Sequence, residues 1–247
     1  MTRAIANEDH RSSGSAMDLH VLSAGAAKGL VEALAPALHA ATGATLRGEF
    51  GAVGAIRERW LAGAPCDMII LTNAMLDALA RDGRVVPETI SPLGLVRTGI
   101  AMRVGDALPA IADRQALRRS LLAAKGQYLP DPERSTAGMH FIKVLRELGI
   151  HDAIVSRLHA FPNGAIAMRE LAQSREPAQI GCTQITEINY TPGVVLVGPL
   201  PAEFELATMY SAAVATTALQ PVAATRFARM LAGPEARELR GAGGFEA

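Results

Sequence analysis

The spacing of apolar residues changes period along the chain, and each change marks an element. Alternation through Asp18-Leu19-His20-Val21-Leu22 predicts a short strand, and Ser23-Ala24-Gly25-Ala26-Ala27 a turn of small residues. From Lys28 to Ala41, Leu30, Leu34, Ala37 and Leu38 recur at helical spacing, and Thr42-Gly43 ends that helix. A second strand is predicted over 44–50, a small-residue turn at Gly51-Ala52-Val53-Gly54, and a helix through Trp60 and Leu61. The run Asp67–Leu71 (DMIIL) is almost wholly apolar, as a central parallel strand is, and the helix over 74–82 stops at Gly83. Three strand–helix units in a row predict a parallel sheet with right-handed crossovers.

Further along, a longer strand over 95–104 is placed to bridge two lobes, with a second crossing near 205–210. Between them the pattern predicts helices over 114–124 and 136–148, helical pieces over 154–158 and 165–174, and strands over 126–129, 178–182 and 194–197. A strand over 209–216 and an amphipathic helix over 222–231 complete the chain. Residues 1–17 read as a disordered tail.

Composition narrows the function. The 247 residues are 49% apolar and 19% charged, as in a well-packed globular protein. Lys and Arg (24) balance Asp and Glu (24), so there is no basic excess to neutralise a phosphate backbone, and nucleic acid is not an expected partner. Aromatic residues, at 4%, are too few for a base- or sugar-stacking platform. Cys66 and Cys182 are read as buried thiols in adjacent strands; no Cys/His cluster has zinc spacing, and neither metal nor cofactor is expected. No stretch approaches a membrane span, so insertion is not expected. Residues 1–16 (MTRAIANEDHRSSGSA) lack the apolar core of a secretory signal. The chain as written is therefore expected in the cytoplasm, or in the periplasm if a signal precedes this sequence or translation starts elsewhere, as at Met17.

Small residues recur where strands hand over to helices: 23–28, 51–55 and 135–138. In open α/β sheets ligands sit outside the carboxyl ends of the strands, against helix N-termini whose free N–H groups and partial positive charge suit an anion. Small side chains let those amides come close.

The order of motifs resembles the periplasmic molybdate-binding protein family, the substrate-binding component of an ABC importer. The likeness is carried by VLSAGAAKGLVEAL (21–34), FGAVGAIRERWLAGAPCDMIILTNAMLDAL (50–79), DPERSTAGMHFIKVLRELGI (131–150), NGAIAMRELAQSREPAQIG (163–181) and FARMLAGPEARELRGAGGF (227–245). It implies an α/β, two-lobed type II periplasmic-binding-protein fold, a mainly parallel sheet flanked by helices in each lobe, with the ligand cleft between lobes. Lobe 1 would hold 18–97 plus 209–247 and lobe 2 98–208; a monomer that closes by a hinge, and an ABC permease as partner, are implied with it.

Carried over position by position, the family's two oxyanion serines fall on Ala26 and Val53, its amide donors on Ala137 and near Asn163, and its tyrosine on Gln184. The lost hydroxyls make molybdate an unsuitable ligand, because a buried oxyanion needs a full set of donors. Ala26, Ala27, Lys28, Val53, Gly54, Arg97, Arg134, Ser135, Thr136, Ala137, Asn163, Thr183 and Gln184 are the candidate ligand-binding residues. Lys28 and Arg134 supply charge and Arg97 a bidentate carboxylate contact. That mix fits a small organic anion, a di- or tricarboxylate, held by a solute-binding protein. The alternative on the same scaffold is a cofactor-independent organic-acid isomerase resembling aconitate isomerase, with Lys28 or His140 as base and Arg97 and Arg134 as clamps. Glu187 reads as a structural or solvent-facing carboxylate.

Overall fold

The computed structural model describes residues 17–246. Except for Met17, the expected tail lies outside the described residues; Met17 packs against the first core, and its carbonyl accepts from the Thr45 amide at 2.8 Å.

The three strand–helix units are β1 (Asp18–Ala24) with α1 (Lys28–Thr42), β2 (Thr45–Gly51) with α2 (Val53–Leu61), and β3 (Met68–Thr72) with α3 (Asn73–Arg81); a single 3-10 turn, Gly25–Ala27, links β1 to α1. β1 runs parallel to both β2 and β3. Then comes β4 (Ser91–Arg103), longer than expected at its start. The second lobe contains α4 (Arg114–Ala123), β5 (Gly126–Pro130), α5 (Thr136–Glu147), α6 (His151–Ile154), β6 (Leu158–Phe161), α7 (Gly164–Gln173), β7 (Gln179–Gln184), α8 (Ile185–Asn189) and β8 (Val194–Pro199). The chain returns through β9 (Ala207–Val214), α9 (Pro221–Ala232) and α10 (Arg237–Gly243).

The strands follow the order β2-β1-β3-β9-β4-β7-β5-β6, with β8 also on β4. β1–β3 and β5–β7 are the parallel groups; β4, β8 and β9 pair antiparallel, so the sheet is mixed where mainly parallel lobes were expected. The hydrogen-bonded path is also continuous, because β4 serves both lobes. Ser91–Arg97 pairs with β9, and Thr98–Arg103 with β7 and β8. The apolar core does divide there. One cluster draws on Leu19 through Val96 and again on Tyr210 through Phe245; the others draw on residues from Ile100 to Phe204. Each buried Leu, Ile or Phe in these clusters contributes about 1.5–3 kcal/mol.

Three elements escaped the sequence pattern: the five-residue α8, β6 and α10. β6 is a four-residue edge strand with a largely exposed face, so it shows no alternation, and 158–161 was not read as a strand. α10 (RELRGAG) has two glycines in its last turn and little helix propensity; α8 holds it, through Asn189 Nδ2 donating to the Gly243 carbonyl at 3.1 Å. The cysteines are free and buried but not in adjacent strands. Cys66 precedes β3 in the first core and Cys182 lies in β7 in the second. Burial pushes the Cys66 thiol up to about 12 and raises that of Cys182, so neither is a nucleophile at neutral pH.

Asp67 fastens the first lobe together. Buried just before β3, it accepts from the His20 amide at 2.8 Å with Oδ2 and from the Leu219 and Gln220 amides at 2.7 and 2.8 Å with Oδ1. It therefore joins β1 to the segment that enters α9. Asp67→Ala leaves three amides without that acceptor and is expected to lower stability by about 3 kcal/mol, read from urea unfolding; a change within experimental error would show that these bonds do not hold the lobe.

Candidate functional site

Four helices begin at one place. α1, through its 3-10 turn, and α2 start from the carboxyl ends of β1 and β2 in the first lobe; α5 and α7 start from those of β5 and β6 in the second. Their first residues line a narrow interlobe cleft of about 10 Å³, walled by Ala24, Gly25, Ala26, Gly51, Ala52, Val53, Ser135, Thr136, Asn163, Gly164, Gln184, Glu187 and Tyr210.

The two sides of the cleft are capped differently. The second-lobe helices are capped by side chains: Ser135 Oγ accepts from the Gly138 amide at 3.4 Å, and Asn163 Oδ1 from the Ile166 amide at 2.9 Å. The first-lobe starts, at Ala24 and Ala52, have no side-chain cap; in the first turn of α2 the Gly54 amide goes instead to the Arg134 carbonyl. Small residues at these starts keep the amides unshielded.

At one point the lobes touch through backbone. Gly54 donates to the Arg134 carbonyl at 3.0 Å, and a Cβ on Gly54 would lie 3.0 Å from that same oxygen, so a side chain here would push the lobes apart. Elsewhere across the gap, the Tyr190 hydroxyl donates to the Leu239 carbonyl at 3.3 Å.

The polar atoms inside the cleft come from β7, α8 and β9. Gln184 is buried, and neither its Oε1 nor its Nε2 has a hydrogen-bond partner. The Tyr210 hydroxyl neighbours the Thr136 hydroxyl and the Gln184 amide. Burial, and then the charge of Glu187, push the Tyr210 hydroxyl above its usual range, so it stays protonated.

Glu187 is only 7% exposed. Thr183 Oγ1 donates to its Oε2 at 2.5 Å, and the Gly164, Ala165 and Gln184 amides support the carboxylate. Gly25 and Gly164 bracket it; a Cβ on Gly25 would overlap Oε1, and one on Gly164 would overlap Oε2. Burial nevertheless outweighs these donors and raises its pKa above the usual carboxylate value.

Of the candidates read from sequence, Ala26, Val53, Ser135, Thr136, Asn163 and Gln184 line the cleft. Ala27, Gly54, Ala137 and Thr183 lie immediately behind these, Thr183 acting through Glu187. The three cations are elsewhere. Lys28 Nζ pairs with Glu32 at 3.7 Å, in an outer depression of about 110 Å³ that shares Gly25 and Glu187 with the cleft. Arg134 pairs with Glu58 at 3.5 Å on a second outer depression of about 600 Å³, which shares Val53 and Thr136. Arg97 bonds Glu246 at 2.9 and 3.1 Å and pairs with Glu205, tying the crossing strand to the chain end. Among the described residues no cation lines the cleft; its walls present helix N-termini and neutral polar groups around the Glu187 carboxylate.

Sequence reasoning missed Tyr210, which lies in the strand predicted over 209–216, and Glu187, read as a structural or solvent-facing carboxylate. The spacing Gln184-Ile185-Thr186-Glu187 was the available signal: an acid three residues past a helix start folds back onto the N-cap amide.

Comparison with known proteins agrees with this architecture. The chain is 19% identical to the Azotobacter vinelandii periplasmic molybdate-binding protein, with a TM-score of 0.76 over 93% of this chain and 99% of that one. The sulfate-binding protein SubI of Mycobacterium tuberculosis superposes with a TM-score of 0.71 at 18% identity, over 93% of this chain and 86% of that one. In sequence, an aconitate isomerase from a Pseudomonas species is 28% identical over 227 residues, 88% of this chain and 83% of that protein. The profile described as bacterial extracellular solute-binding protein matches residues 19–246, and the chain belongs to that family.

Proposed function

We propose that this protein binds a small organic anion with two or three carboxylates in the interlobe cleft. The observation that carries the reading is Glu187. A bare oxometalate or sulfate offers only acceptor oxygens, and next to a buried carboxylate it meets repulsion that the surrounding amides must offset. An organic acid offers acceptors to the uncapped helix starts at Ala24 and Ala52 and presents a hydroxyl or an acidic C–H to Glu187. The Gln184 amide, buried without a partner, supplies one donor and one acceptor in the same place. Opening about the two crossings, near β4 and just before β9, admits the ligand, and closure completes the donor set. Transfer to an ABC permease is the transport role consistent with the family.

A second reading, an organic-acid isomerase, is favoured by the same residue together with the aconitate isomerase relative. The bases expected from sequence do not serve it. Lys28 is outside the cleft, and His140 Nε2 is engaged with the Phe204 carbonyl at 2.7 Å.

A thermal-shift panel of citrate, tricarballylate, aconitate, malate, sulfate and molybdate tests the binding reading. At 100 times its dissociation constant, a carboxylate ligand is expected to stabilise the protein by about 2.7 kcal/mol, with molybdate and sulfate inert. Stabilisation by an oxyanion and by no organic acid would overturn it. Gln184→Leu is expected to weaken the same carboxylate by about 1–3 kcal/mol in titration calorimetry without lowering the unliganded melting temperature, because it removes an unpaired buried amide. An unchanged affinity would remove Gln184 from the site.

A further inference from the structure

We propose that the ligand is a substituted acid, with its carboxylates in the interlobe cleft and an uncharged apolar substituent filling the outer depression beside Met139. The inference rests on the reading of the cleft as an organic-acid site and adds a second subsite to it. Space is the first observation. The cleft, at about 10 Å³, has room for about one water, whereas the depression that adjoins it at Val53 and Thr136 measures about 600 Å³. A ligand held in the cleft therefore extends outward, and this depression is the larger of the two that share its walls.

The depression is built from both lobes and from the crossing strand. Met75 stands in the first turn of α3, Met139 in the first turn of α5 and Met209 in β9. Met139 is 47% exposed, an apolar side chain left uncovered where the lobes meet, and Met75 and Met209 are half-buried. Thioether side chains are flexible and polarisable, so three of them can mould to apolar groups of differing shape. Gly54 and Arg134, which join the lobes through backbone, line the same depression. Closure therefore brings methionines of both lobes around whatever projects from the cleft.

Charge and hydrogen bonding argue against a polar occupant. Thr72 Oγ1 accepts from the Met75 amide at 3.4 Å, while Asn73 donates to Asp77 at 3.0 Å and accepts from Ser211 Oγ at 2.9 Å. Arg134 is paired with Glu58 at 3.5 Å, and Glu133 adds a second carboxylate to the lining. These donors are engaged within the protein, and the charged groups leave a net negative that repels a further carboxylate. The smaller depression carries Lys28, Glu32 and Arg169 and is a poorer seat for an apolar group. Each methylene buried among the methionines is expected to raise affinity up to about fourfold, the equivalent of about 0.8 kcal/mol.

The test is titration calorimetry of the full chain with succinate and with 2-methyl-, 2-propyl- and 2-pentylsuccinate. Wild-type affinity is expected to rise along the series by about two- to fourfold per added carbon, about 30-fold or more from first to last. Met139→Gln is expected to cut that ratio by about threefold or more, and Met139→Leu, which restores an apolar side chain, to retain it. Met139 is exposed, so neither substitution opens a core. Equal affinities along the series, or affinities that fall with chain length, would overturn the inference and leave the binding reading intact. Binding of citrate or malate with no binding of any alkylsuccinate, or a Met139→Gln ratio equal to that of wild type, would do the same. Failure of every organic acid to bind would overturn both.

Discussion

The antiparallel pairing of β4 with β9 is the constraint on which the rest of the molecule depends. β4 gives its first half to β9 and its second half to β7 and β8, so one strand belongs to both lobes. β9 closes the first lobe by lying against β3. With the lobes joined along these strands, the carboxyl ends of β1 and β2 face those of β5 and β6, and the helices that follow them start at a common cleft. Arg97 sits where β4 changes partners, and the paired Leu95 and Glu246 backbones fix the chain end to the same point at 2.8 Å. Partly exposed ion pairs of this kind contribute at most about 1 kcal/mol each, so the backbone ladder does most of the joining.

The electrostatics of the cleft follow from that geometry. A binding site for an anion can be built from cations or from amides, and this one uses amides. Helix N-termini supply partial positive charge without the desolvation cost of burying a lysine or arginine. Lys28 and Arg134 stand at the outer depressions, paired with Glu32 and Glu58. The unusual component is the acid inside. Glu187 is held by donors of the kind that would bind a ligand carboxylate.

Local pattern made most of the fold legible. The strand, small-residue turn and helix of each unit lie within some twenty residues of one another, and periodicity reports that directly. The turns also pointed to Ala26, Val53, Ser135, Thr136, Asn163 and Gln184, since residues at the carboxyl ends of strands end up at the cleft whatever the details of packing. The cations failed as candidates because side-chain direction is not written in position. Lys28 opens α1 yet points along the helix to Glu32, one turn on. Tyr210 and Glu187 were hidden for opposite reasons: an aromatic in an apolar strand is ordinarily core, and an acid early in a short helix is ordinarily solvated. Their placement depends on β9 and α8 meeting the first lobe, a long-range event that no local pattern encodes.

The most direct measurement of the central claim is a crystal structure of the protein with the carboxylate that stabilises it most. The account predicts the ligand between the N-termini of α1, α2, α5 and α7, with carboxylate oxygens about 2.9 Å from amides at the uncapped helix starts of the first lobe and the Gln184 amide paired. A ligand seated only in an outer depression, against Lys28 or Arg134 with Gln184 still unpaired, would contradict it.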